Sequence, residues 1–195
     1  MNDGIEVLGI DHDGRIVQSL AGRLTHVVQA DSTDVDAMRQ LGVHEFGRAV
    51  VAIGTALEAS VLTTSVLLEL KVSHVWCKAV SEPHARILVQ LGAHHVVRPE
   101  HDMGRRVAHL VRGRMLDYIE FDDGYAIVKT RPPRHLVGVP LGDSHVRSQH
   151  GVTIVGVKRN GQDFKHATAD TVVHGDDLLI VSGPRGSVEA FSELT

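Results

Sequence analysis

The sequence is short of cysteine, of long apolar runs and of basic charge, and each shortage closes a class of function. Its one cysteine, Cys77, cannot form a disulfide within the chain, which suits a reducing compartment. No apolar run approaches the roughly 18 residues that cross a bilayer, so no direct membrane insertion is expected. With 20 basic and 24 acidic side chains the net charge is −4, whereas a nucleic-acid binder usually presents a basic face. The opening MNDGIEVLGIDHDG has neither a basic first segment nor an apolar stretch of about 7–15 residues, so it does not read as a secretory signal. The expectation is a soluble cytoplasmic protein that does not bind nucleic acid.

What is present is regular. The chain has 195 residues, of which 43% are hydrophobic, enough for one large domain or two small ones. Up to about residue 113, short apolar runs at 5–10, 25–28, 49–53, 74–78 and 94–97 read as strands covered on both faces. Helical patterns lie between them. Residues 33–41 follow Asp31 or Thr33 as N-cap, residues 55–70 are apolar on most sides and expected to be largely buried, residues 82–91 begin Glu-Pro, and residues 100–112 follow Pro99. Strand–helix alternation of this kind gives βαβ units and a parallel sheet. Two echoing strings, RQLGVH at 39–44 and VQLGAH at 89–94, place a glycine where a helix ends before the next strand.

After Met115 the pattern changes to strands at 116–121, 125–130, 153–159, 162–166 and 177–181, with short helices at 142–150 and 184–193. Asn160-Gly161 is a strong hairpin signal. The fold expected is α/β: a Rossmann-like parallel sheet over 1–113, then a small α+β domain over 116–195.

Open parallel sheets bind ligands outside the carboxyl ends of their strands. There stand Asp11, then Asp31 with Ser32, then Ile53-Gly54-Thr55, then Lys78. An acid can accept from ribose hydroxyls, Asp31 and Ser32 can meet an adenine edge, a glycine admits close approach, and a lysine neutralises phosphate. Each also has a plain structural reading: N-cap, turn, or solvated strand end. Together they point to a nucleotide site. His94, His95, His101 and His109 gather near Glu100 but lack the paired spacings of zinc motifs. Cys77 reads as a packing thiol, and Ser60, Thr63 and Thr64 as groups bonding within or between helices.

The strings ADSTD (30–34), VVAIGTALEAS (50–60), LGAHHVVRPEHDMG (91–104) and GVTIVGVKR (151–159) resemble the RCK family, the cytoplasmic gating subunits of Trk and Ktr potassium transporters. The resemblance covers nearly the whole chain, an RCK-N domain to about 113 and RCK-C (TrkA-C) thereafter. It implies that Asp11, flanked by His12 and Asp13, faces the ribose, and that Asp31 and Ser32 face the adenine. Ile53, Gly54 and Thr55 would border the nucleotide, and Lys78, Ala79 and Val80 would line the phosphates. His84 and Glu100 match further phosphate- and cation-side positions, Glu100 as a carboxylate holding a divalent ion between subunits. The implied ligand is NAD(H) or ATP/ADP, with regulation in place of turnover. The implied partners are an integral-membrane potassium transporter subunit at the inner face of the cell membrane and further copies of the chain, as a homodimer or a larger ring. The resemblance also implies that RCK-C dimerises, as it does in the family, where in some members it binds a cyclic dinucleotide or another small effector.

The family pattern begins with a strand and G-x-G-x-x-G before the strand matching residues 5–10, and neither precedes it here. That strand is central in the usual order, so its neighbours are expected to flank an empty slot. A longer native chain, a separate peptide supplying the strand, or a decayed gene each account for this. Two other functions stay open, an NAD-dependent oxidoreductase and a nucleotide-independent dimerisation module.

Overall fold

The computed structural model describes residues 4–111 and 114–194. Two compact units divide the chain, Met1–Glu100 and His101–Thr195. The division falls after Glu100, so most of the helix read at 100–112 groups with the second unit and not with the parallel sheet.

The first unit contains β1 (Leu8–Asp11), α1 (Gly14–Leu20), β2 (His26–Gln29), α2 (Val35–Gln40), β3 (Arg48–Val51), α3 (Leu57–Glu69), β4 (His74–Lys78), α4 (Glu82–Leu91) and β5 (His95–Val97). All strand pairs are parallel, but they form two sheets, β1–β2 and β3–β4–β5. Among the described residues no strand joins β1 to β3, so the parallel strands are divided between two sheets. Both sheets still pack on one apolar core: Leu8 and Ile10 lie against the cluster built from Val51, Leu67, Val75, Cys77 and Leu88.

Burial alternates along β4, with Val75 and Cys77 inaccessible. The opposite face is open: Val50 is 74% exposed and Trp76 40%. The expectation of strands covered on both faces therefore fails for β3–β5: among the described residues of this unit no helix covers Val50 or Trp76. Helix α3, expected to be largely buried, is buried along one side: Ser60, Thr64 and Leu67 face inward while Leu57 and Leu62 face solvent.

Helix ends follow their chemistry. The N-cap of α2 is Asp34, whose carboxylate accepts from the amides of Asp36 and Ala37, and not Asp31 or Thr33. Ser81 caps α4 with Pro83 in its first turn. Gly92 ends α4 at φ 98°, a left-handed cap that glycine adopts without a Cβ penalty.

In the second unit, β6 (Met115–Glu120), β7 (Tyr125–Thr130), β8 (Thr153–Lys158), β9 (Phe164–His166) and β10 (Leu178–Pro184) form one antiparallel sheet in the order β6-β7-β10-β8-β9. Following α5 (Pro99–Val111), the helices are α6 (Val146–His150) and α7 (Arg185–Glu193). The β8–β9 hairpin turns at Asn160-Gly161, with Gly161 at φ 74° and the Gln162 amide donating to the Arg159 carbonyl at 3.0 Å. Phe191 and Val188 of α7 lie in a core with Leu136, Val152, Leu179 and Val181. The C-terminal part of α5 is fixed to this unit: His109 stacks on Tyr118 with ring centroids 4.0 Å apart, and its Nδ1 lies 3.3 Å from Glu189.

Candidate functional site

The end of β1 runs into a tight acidic turn. The Asp13 amide donates to Asp11 Oδ1 at 2.9 Å, and His12 Nδ1 lies 3.4 Å from the same oxygen. Asp13 caps α1, accepting from the Arg15 amide, and its carboxylate is ion-paired with the Arg15 guanidinium at 2.8 Å. That guanidinium holds the Asp13 carboxyl below the usual carboxylate range. Asp13 is thus committed to the helix start, while Asp11 keeps its second oxygen without a protein partner among the described residues.

At the end of β2, Asp31 Oδ1 accepts from the Thr33 hydroxyl at 2.7 Å and from the Thr33 amide at 2.9 Å. These bonds, with His12 nearby, lower its pKa. Ser32 shares a 2.8 Å hydrogen bond with Thr63 of α3. This bond ties the β1–β2 edge to the helix that follows Gly54 and Thr55, so the two sheets present their carboxyl ends to a common region. Thr63, read as bonding within or between helices, instead reaches the turn after β2, where Ser32 lies. Thr64 bonds back to the Ser60 carbonyl at 2.7 Å.

Beyond β3, Ile53 packs its side chain on the core, Thr55 is exposed, and Gly54 lies under Lys78. A Cβ on Gly54 would stand 3.6 Å from Lys78 Nζ and 3.7 Å from Val80 Cγ1, so the ammonium rests against the backbone of this turn. Lys78 does not point free into solvent: Nζ meets Glu100 Oε1 at 2.5 Å. The lysine expected on the phosphate side and the carboxylate expected on the cation side are paired with each other. That hydrogen bond keeps the Glu100 carboxyl below its ordinary range. A second ion pair stands alongside, between Arg98 and Glu82, and nothing in the spacing of those two residues signals it.

Ala79 is buried and its amide donates to the Val97 carbonyl at 2.8 Å, continuing the sheet. Val80 is exposed at the surface. Its amide donates to His84 Nδ1 at 3.4 Å, which assigns the His84 proton to Nε2. His84 is 1% exposed, and its Nε2 and Ser60 Oγ are buried without a hydrogen-bond partner among the described residues. Such orphans are uncommon, and these sit in the first turns of α4 and α3, the helices that open at this edge.

The donor set fits a nucleotide in part. It offers a free oxygen on Asp11, the Asp31 turn, an ammonium over a glycine backbone, and an unpartnered imidazole N–H. The described residues hold no group of three or more His, Cys, Asp or Glu side chains placed to share a metal ion. Of the histidines near Glu100, His94 accepts from the Val75 amide at 3.1 Å, and His95 stacks on Trp76 at 3.9 Å between centroids. No described helix is long and apolar enough to cross a membrane.

A TrkA-N domain model matches residues 1–99 and a TrkA-C domain model residues 125–195. The Ktr system potassium uptake protein C of Bacillus subtilis (strain 168) is 36% identical over 192 residues, covering 98% of this chain and 87% of that protein. Protein A of the same system and organism is 33% identical over 189 residues, 96% of this chain and 85% of its own length. A solved GsuK channel bound to NAD superposes with a TM-score of 0.65 at 18% identity, over 99% of this chain and 35% of the channel chain. That likeness is one of fold, and this chain spans about a third of the channel's length. The chain belongs to the RCK family of TrkA-N and TrkA-C domain proteins, homologous along nearly its whole length to the Ktr potassium uptake proteins A and C.

Proposed function

We propose that this chain is a cytoplasmic regulatory subunit of a Trk/Ktr-type potassium transporter, and that it binds an adenine nucleotide, NAD(H) or ATP/ADP, at the carboxyl edge of its first unit without turning it over. Asp11 takes ribose hydroxyls, with His12 and Asp13 shaping the turn. Asp31 and Ser32 border the adenine, and the Ile53–Gly54–Thr55 backbone lies along the nucleotide. Lys78 and Val80 face the phosphates, His84 stands buried behind them in the first turn of α4, and Glu100 lies on the cation side. Ala79 contributes position only, since its amide is engaged in the sheet. The observation that carries this reading is the Lys78 ammonium seated on the Gly54 turn, at the same edge as the orphaned His84 Nε2. A structural core has no need of either.

Support comes also from relatives that are potassium uptake proteins and from a fold neighbour solved with NAD. Regulation then follows from linkage. A bound ligand shifts a gate only by its differential affinity for two states, and a ~100-fold preference supplies about 2.7 kcal/mol, within the usual range of allosteric coupling. The membrane partner and further copies of the chain are where that difference is read, the chain itself lying peripheral to the inner face of the membrane.

Isothermal titration of the full chain with ATP, ADP, NAD and NADH tests the proposal. At least one compound should bind, with recovery of unaltered ligand afterwards, and Asp11→Ala should lower its affinity about tenfold, the scale of one lost charge-assisted hydrogen bond. Absence of binding by all four, or consumption of the dinucleotide, overturns it.

A further inference from the structure

The pairing of Lys78 with Glu100 has a regulatory consequence, which rests on the nucleotide reading above. We infer that Glu100 is a built-in competitor for the phosphate position: in the free protein its carboxylate occupies the Lys78 ammonium, and a phosphate-bearing ligand displaces it, releasing the first turn of α5.

The geometry supports displacement and not joint occupancy. Nζ is held at 2.5 Å by Glu100 Oε1 while lying against the Gly54 turn and Val80. The lysine side chain is 29% exposed and Glu100 67%, so the ammonium is the sheltered partner and the carboxylate the one open to solvent. A phosphate approaching this ammonium meets a like charge at hydrogen-bond distance from the same nitrogen, and the two anions repel. Phosphate brings greater charge and more acceptor oxygens than one carboxylate. An exposed ion pair of this kind holds weakly. The carboxylate therefore yields.

The consequence lies in where Glu100 sits. It is the second residue of α5 (Pro99–Val111), one peptide beyond the boundary proline and the last residue of the first unit. Arg98, just before the helix, is held separately by Glu82. Loss of the Lys78 contact therefore loosens the start of α5 and leaves the end of β5 anchored. Occupancy at the strand edge is converted into freedom of the helix that carries the chain into its second unit.

The test compares the wild-type full chain with Glu100→Gln and Lys78→Met, using ADP and, separately, inorganic pyrophosphate, in EDTA and then in Mg²⁺. In EDTA, Glu100→Gln should bind ADP more tightly, by up to about fivefold, and Lys78→Met more weakly. Pyrophosphate should show the same ranking if the phosphates alone drive displacement. Amide hydrogen exchange should rise at residues 101–104 when ADP is added to the wild type, and should already be raised in ligand-free Glu100→Gln. If Glu100→Gln binds ADP equally or more weakly in EDTA, the competitor is overturned and the nucleotide site stands. The competitor is likewise overturned if α5 exchange does not respond. If the wild type binds neither probe, both fall. Tighter binding of the wild type than of Glu100→Gln in Mg²⁺ only would assign Glu100 to a cation in the bound state, which still requires it to have left Lys78.

Discussion

The two units use charge in opposite ways. In the first, the acids and the ammonium at the strand ends lie near the surface and hold partners they can release: Asp31 a neighbouring threonine, Lys78 an exposed glutamate. In the second, ion pairs bridge separate elements, and one carboxylate among them is fully sheltered. Asp177 is inaccessible and pairs with Arg159 at 3.1 Å, and Asp117 of β6 pairs with Arg106 of α5. Exposed pairs add little to stability and exchange partners readily, whereas removing one member of a buried pair strands the other. One unit is thus arranged to respond and the other to hold its shape. The sheets agree, one broken with an open face, the other continuous over five strands.

The largest effect that separates the units is in their cores. Phe191→Ala should destabilise the second unit by about 3–5 kcal/mol, and Leu88→Ala the first by about 2–5 kcal/mol, each side chain being at most 1% exposed. The chain supplies its own probes: Trp76 is the one tryptophan and lies in the first unit, while both tyrosines, Tyr118 and Tyr125, lie in the second. In urea melts Phe191→Ala should move the tyrosine signal and Leu88→Ala the tryptophan signal. Coincident shifts of both signals in both variants would break the comparison.

A smaller effect sharpens it. Burial pushes the Asp177 carboxyl up, but the Arg159 guanidinium and the His174 amide, donating at 2.8 Å, outweigh burial and leave its pKa lowered. A lowered native value means that stability is fully present above the unfolded value of about 3.9 and is lost as pH falls through the native value. Asp177→Asn should therefore cost about 2–3 kcal/mol at pH 7. Its tyrosine-reported midpoint should also vary less between pH 5 and pH 3 than that of the wild type. An unchanged acid profile would mean that the pair is no more than a surface contact.

How far the sequence discloses this molecule depends on which force fixes each part. Helix α4 and strand β4 have the bounds their patterns predict, because capping residues and an abrupt apolar run mark both ends. The family is legible by resemblance, through four short strings, and most of the order of elements by pattern. Helix α1 escapes notice because it is only seven residues long and none of them is buried, so Ile16, Val17 and Leu20 make too short an apolar stripe to stand out. The open face of β3–β5 is illegible for a deeper reason. Val50 and Trp76 are apolar whether or not anything covers them, and periodicity records what a strand can bury, not what is there to bury it. At the site, the residue types are readable but their partners are not. Lys78 and Glu100 lie 22 positions apart, and neither composition nor spacing says that a base and an acid assigned to different roles will meet.

The smallest effect is also the most discriminating, because it contrasts two aspartates three residues apart. Asp34 accepts from two amides of the first turn of α2, a pure capping role, and Asp34→Ala should cost about 1 kcal/mol. Its tryptophan-reported midpoint should fall while ADP affinity is unchanged. Asp31 caps nothing; its carboxylate folds onto Thr33 and stands near His12. Asp31→Ala should barely move the melt and should weaken ADP binding several-fold, the loss of one polar contact. If both variants lose stability and neither loses ligand, Asp31 is a turn residue and the adenine side of the site lies elsewhere. If the two behave as opposites, the strand end has been divided residue by residue into what builds the unit and what the unit is built to hold.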